Sequence, residues 1–236
     1  FLIYASIDVQ GRAALDDQSR SSAERDDHTF AAHPTSPSKD DMRHTEADDE
    51  RAELRRKLIA AREALAGRID LIAALQDVLR VWLVSRHETS IGAYWPIKGE
   101  FDPLPALYRW TEGAPDGVTR RIGLPRVDRE SGSLRWHLWF PGCPMEPDAY
   151  DIPKPRGTEA LAPELLVVPC LGYGPGGVRL GYGGGFFERT MRTLRPQPMT
   201  VGVSFAQGFL PLLRPGPLDF ELDAVLTEDG VMWQRG

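Results

Sequence analysis

The chain has 236 residues, 42% of them hydrophobic, enough for one substantial α/β domain and too few for a second full one. Its formal net charge of −6 is unevenly placed: residues 1–50 hold twelve Asp/Glu against five Lys/Arg, so the remainder is near neutral and lacks the basic excess of a general nucleic-acid surface. The two cysteines, Cys143 and Cys170, make neither a disulfide scaffold nor a metal knuckle nor a redox pair, and a reducing cytoplasm is the expected compartment.

In chain order, residues 1–3 are apolar but run into Asp8 and Arg12, short of a signal-peptide core or a membrane span. Residues 13–50 lack apolar periodicity, and residues 1–44 are predicted to form a disordered acidic tail ahead of a domain over 45–236. Leu54, Leu58, Ala61 and Leu65 then recur at helical spacing until Gly67 closes the segment. A second helix is predicted over about 71–86, a strand over 90–95 ended by Pro96, then a helix and two or three strands. The apolar runs 122–127, 165–169, 200–205 and 224–227 read as strands, with a helical stretch at 186–194 between two of them. This alternation predicts an α/β fold, a doubly wound, mostly parallel sheet flanked by helices in a single domain.

Directly after the run 165–169 comes Gly172-Tyr-Gly-Pro-Gly-Gly-Val-Arg-Leu-Gly-Tyr-Gly-Gly-Gly185, in which eight of fourteen residues are glycine. Glycine costs folding entropy, and what a run of it supplies is bare backbone N–H groups that can approach a phosphate ahead of a helix N-terminus. Arg179 and Arg189 bracket the segment with fixed positive charge. No Gly-Lys-Ser/Thr is present, which excludes a P-loop, and no helix can start at Val178 with glycines following, which excludes a dinucleotide-binding turn. A set of ligand-free tight turns is the alternative.

Two further clusters carry chemistry. Arg51, Arg55 and Arg62 fall in one narrow stripe beside the leucine face of the first helix, where they either point into a cleft or form a solvated face. Trp95 and Glu100 sit in the loop after the first strand, where α/β sheets place ligands; alone, Glu100 reads equally as an exposed turn acid. The remaining histidines, His87 and His137, stand alone.

The segment Gly177-Val-Arg-Leu-Gly-Tyr-Gly-Gly-Gly-Phe-Phe-Glu-Arg189 resembles the signature G-x-R-L-G-x-G-x-G-Y-Y-D-R of the 5-formyltetrahydrofolate cyclo-ligase family, and flanking features fall in order over about 51–233. The resemblance implies a cytoplasmic ligase of one-carbon metabolism, a monomer binding small molecules and neither nucleic acid nor membrane. Its reaction would be the ATP-dependent closure of 5-formyltetrahydrofolate to 5,10-methenyltetrahydrofolate, releasing ADP and phosphate. Carried over, it implies nucleotide binding by Arg51, Arg55, Gly181, Tyr182, Gly183, Gly184, Gly185, Phe186 and Phe187. It further implies charge stabilisation by Arg179 and Arg189, folate binding by Trp95, Glu100 and Tyr182, and Mg²⁺ held by Glu188 and Asp219. Departures from the family pattern are Arg51 for Lys, Glu188 for Asp, Phe187 for Tyr, Tyr173-Gly174 for Phe-Asp and Lys154 for the Glu before Pro155. They leave open a non-catalytic nucleotide- or folate-binding paralogue; a sugar-phosphate isomerase or CoA-transferase-like enzyme on a related scaffold is the other alternative.

Overall fold

A computed structural model describes residues 39–236, with side chains from residue 49 onward; the expected tail over 1–38 lies outside the described residues. The first helix, α1 (Lys39–Glu63), begins inside the stretch assigned to the tail, because apolar spacing marks only the turns of a helix that pack. Gly67, in the left-handed region at φ 64°, separates it from α2 (Arg68–Val84), whose Leu75, Leu79, Trp82 and Leu83 form one buried face. There follow β1 (Ser90–Gly92), α3 (Leu104–Glu112), β2 (Arg121–Val127), β3 (Leu134–Trp139), β4 (Met145–Pro147), β5 (Pro153–Pro155), β6 (Ala160–Leu161), β7 (Leu165–Pro169), β8 (Gly172–Tyr173), β9 (Arg179–Leu180), α4 (Phe186–Thr193), β10 (Met199–Val203), β11 (Ala224–Thr227) and β12 (Gly230–Gln234).

Eight strands join in one sheet of order β12-β11-β10-β7-β1-β2-β3-β6. The five in the middle are parallel, and antiparallel partners close both edges, β12 on one side, β3 and β6 on the other. The sheet is therefore mixed and mostly parallel, in a single α/β domain with four helices. Both faces are covered, which is why β7 reads as an unbroken apolar run. Leu165 and Val167 pack with α2 and α3, while Leu166 and Val168 pack with Met191 of α4, Trp136 and Leu222.

The connection from β1 through α3 leads outward to β2, whereas that from β7 through α4 leads the opposite way to β10. Neighbouring strands whose connections diverge leave a crevice beyond their carboxyl ends, the usual place for a ligand in such a sheet. No described helix is long and apolar enough to cross a membrane.

Candidate functional site

A cleft of about 1070 Å³ opens at that crevice. On one side β7 passes into the glycine-rich segment, which the fold divides. The β8 and β9 strands pair antiparallel, with Tyr173 opposite Arg179, so only the turn ahead of α4 remains open. Gly183 and Gly185 take φ of 92° and 67°, a region that disfavours other residues, and turn the chain into α4. Among the described residues no acceptor takes the N–H groups of Gly183, Gly184 or Gly185. Those donors and the positive end of the α4 dipole make an anion cradle.

Of the arginine stripe on α1, Arg51 and Arg55 line the cleft and Arg62 does not. Arg51 donates to the Asp219 carboxylate and the Arg214 carbonyl, each at 2.9 Å. Arg55 donates to the Gly181 carbonyl at 2.9 Å, and its guanidinium lies so close to Gly183 that a Cβ there would meet it at 3.2 Å. Arg62 is buried behind the cleft wall, where it meets the Lys98 carbonyl and the Tyr182 hydroxyl. Arg189, exposed at the mouth, donates to the carbonyls of Gly132 and Gly184 and lies over Phe186.

Arg179 behaves differently. It donates to the Pro169 carbonyl at 2.9 Å and to Glu188 at 2.8 Å, with its guanidinium over Phe187. Only 6% of the residue is exposed, so most of its bonding capacity is spent inside the protein. Glu188 and Asp219 line the same cleft, yet each is engaged by an arginine, Arg179 and Arg51 respectively. Among the described residues no group of three or more acidic, histidine or cysteine side chains is placed to hold a metal. Two hard carboxylates do suit Mg²⁺ that takes its remaining ligands from phosphates and water.

Across the cleft lie Trp95 and Glu100, in the loop after β1. Glu100 is buried, and its Oε2 accepts the Ile97 N–H at 2.9 Å. Burial pushes its carboxyl above the ordinary range; the Ile97 N–H, the Arg62 charge, the Tyr182 hydroxyl and the Arg179 charge each pull it back. Tyr182 belongs to both halves: its backbone lies in the glycine-rich turn and its hydroxyl reaches Glu100. Burial and the Glu100 charge raise the Tyr182 hydroxyl well above its usual value, so it stays protonated and donates.

The structure thus gathers all fifteen expected site residues around one cleft, with Arg179 turned inward. Sequence reading missed Arg68, which donates to the Gly99 carbonyl at 2.6 Å, and the β4–β5 hairpin. That hairpin brings Asp148 and Tyr150 over the mouth, the Tyr150 ring 5.5 Å from that of Phe186. Arg68 follows a closing glycine and offered no periodic signal; the hairpin strands are three residues each, too short for alternation to show. Lys154 pairs with Glu146 on the facing hairpin strand and does not line the cleft.

A family model described as the 5-formyltetrahydrofolate cyclo-ligase family matches residues 47–228. Two solved structures are similar in fold. The NMR structure of Aquifex aeolicus 5,10-methenyltetrahydrofolate synthetase is 24% identical, with a TM-score of 0.64 over 79% of this chain and 93% of that one. A 5,10-methenyltetrahydrofolate synthetase from Mycoplasma pneumoniae is 19% identical, with a TM-score of 0.58 over 75% of this chain and 98% of that one. No curated protein matches. At these identities the two structures speak for the fold alone, while the family model spans well over half of the chain.

Proposed function

Because the chain belongs to the 5-formyltetrahydrofolate cyclo-ligase family, we propose that its ATP-dependent conversion of 5-formyltetrahydrofolate to 5,10-methenyltetrahydrofolate runs in the cleft beyond β1 and β7. One observation carries this reading: the cleft sets an open anion cradle, ringed by arginines, opposite a buried carboxylate beside an aromatic ring. The cradle suits a triphosphate. A pterin is flat and rich in N–H donors, which suits Trp95 and Glu100.

A formyl amide is a poor electrophile. In this reading its oxygen attacks the γ-phosphorus of ATP and ADP leaves. N10 of the folate then attacks the activated carbon and loses its proton, and the formyl oxygen departs as phosphate, leaving the methenyl bridge. No side-chain nucleophile is required; positioning and charge neutralisation carry the rate. The amides of Gly183 to Gly185 and the α4 terminus receive phosphate oxygens, with Phe186 and Phe187 walling that side. Arg55, Arg51 and Arg189 answer the charge. Arg179 acts through Glu188, whose carboxylate it orients. Glu188 and Asp219 would hold Mg²⁺, which would neutralise charge on the triphosphate. The enzyme is read as a cytoplasmic monomer; both cysteines are free, which suits a reducing compartment.

The test is to mix protein, ATP, Mg²⁺ and 5-formyltetrahydrofolate and follow methenyl absorbance together with ADP. One ADP per methenyl group is expected, and Arg55→Met should raise the KM for ATP about tenfold, as loss of a charged hydrogen bond predicts. Binding of either ligand without turnover would favour a non-catalytic paralogue. Turnover of a sugar phosphate without ATP would favour an isomerase.

A further inference from the structure

We infer that Arg62 is a positioning residue for folate recognition, holding the 98–100 turn and Tyr182 so that the Glu100 carboxylate faces the substrate. The inference rests on the folate role proposed for Glu100.

Arg62 lies in the last turn of α1 and is only 5% exposed. A buried guanidinium is costly unless its donors are engaged. Here Nε and Nη2 converge on the Lys98 carbonyl at 3.2 and 2.8 Å, and Nη2 also meets the Tyr182 hydroxyl. Its Cζ lies 5.7 Å from the Tyr182 ring centroid. Arg68 completes the clamp by donating to the Gly99 carbonyl at 2.6 Å and to the Arg62 carbonyl at 3.0 Å.

What the two arginines hold is a strained turn. Lys98 and Gly99 both have positive φ, 46° and 70°, and for lysine that conformation is unfavourable. This turn folds the chain back so that the Ile97 N–H meets the Glu100 carboxylate. With the carbonyls of Lys98 and Gly99 released, an ordinary backbone conformation would swing Glu100 away from Tyr182. Arg62 thus fixes the two residues flanking the carboxylate, one on each side of the cleft.

It also supplies charge. The titratable and charged groups around Glu100 include Arg62 from α1, Arg68 from α2 at its backbone carbonyl, Arg179 from β9, Tyr182 from the glycine-rich turn, Tyr94 after β1 and Cys170 after β7. The Cys170 thiol is pushed up to about 11 by burial and stays neutral, as does the buried Tyr94. The Arg62 and Arg179 charges both oppose the effect of burial on the carboxyl, and Arg179 shares its charge with Glu188.

The experiment compares Arg62→Met, which keeps the apolar stem, with Arg62→Lys and Glu100→Gln. It reads kcat and KM for each substrate and the pH profile of kcat/KM for 5-formyltetrahydrofolate. Arg62→Met should raise the folate KM about tenfold and the ATP KM less than about twofold. Removing a cation raises the carboxylate's pKa, so the acidic limb should move to higher pH by about half a unit or more. Arg62→Lys retains the charge and should restore the limb while leaving an intermediate KM. Equal rises in both KM values with the limb unmoved, or wild-type kinetics, would overturn the inference. Should Arg62→Met not fold, Tyr182→Phe removes the hydroxyl joining Arg62 to Glu100 and should shift the same limb; an unmoved limb there counts against the inference equally. Glu100→Gln separates the two claims: an unchanged folate KM removes Glu100 from the folate site, whereas a raised folate KM with normal Arg62→Met kinetics sinks this inference alone.

Discussion

Arg179 and Glu188 sit 2.8 Å apart, with side chains 5% and 16% exposed. In the sequence, Arg179 reads as a fixed positive charge bracketing a phosphate-binding loop. The pairing of β8 with β9 turns it inward instead, onto the Pro169 carbonyl at the end of the central strand. Removing one member of a buried ion pair leaves the other charge unpaired and a carbonyl without its donor. Arg179→Ala should therefore lower unfolding free energy by roughly 3 kcal/mol by chemical denaturation at neutral pH. A loss under about 1 kcal/mol would return Arg179 to the role of an exposed charge. The residue types at the site were legible in the sequence, since arginine beside glycine announces an anion. The inward direction of Arg179 was not, because a two-residue strand pairing decides it and such a pairing has no periodicity to read.

At the level of elements, the parallel core was legible: β2, β7, β10 and β11 fall where continuous apolar runs require burial on both faces, and α2 and α4 lie within a few residues of expectation. The edges were not. β6 has two residues, β4 and β5 have three each, and β12 carries exposed Val231 and Met232, so none shows a buried run. The glycine-rich segment is likewise three pieces, a hairpin, an open turn and a helix start, and among the described residues the turn amides of Gly183 to Gly185 have no acceptor. Gly183 tests that division. Ala at φ 92° should cost about 1 kcal/mol of stability, and its Cβ would press on Arg55 at 3.2 Å. The ATP dissociation constant should rise about tenfold with the folate constant little changed. An unaltered ATP titration would place the nucleotide elsewhere.

On the scale of the whole molecule, the described residues close a core on both faces of the sheet. Residues 1–38 lack the apolar pattern to add to it, so their deletion should move the melting temperature by less than about 2 °C and leave turnover unchanged. A larger drop in either quantity would give those residues a structural part. The two arginine–carboxylate pairs in the cleft bear on what may enter it. Seven cationic and five acidic side chains line the cleft, so most of its positive charge is answered before any ligand arrives. Seen from solution the empty cleft is electrostatically quiet, with little long-range pull on passing anions. A small anion that draws Arg51 or Arg179 away from its carboxylate strands that carboxylate. A ligand that carries a cation alongside its own negative charge can exchange with both members of a pair at once, arginine to phosphate and carboxylate to cation. At Arg51 and Arg179, then, the pairing weighs against a bare anion relative to a ligand that brings a cation of its own.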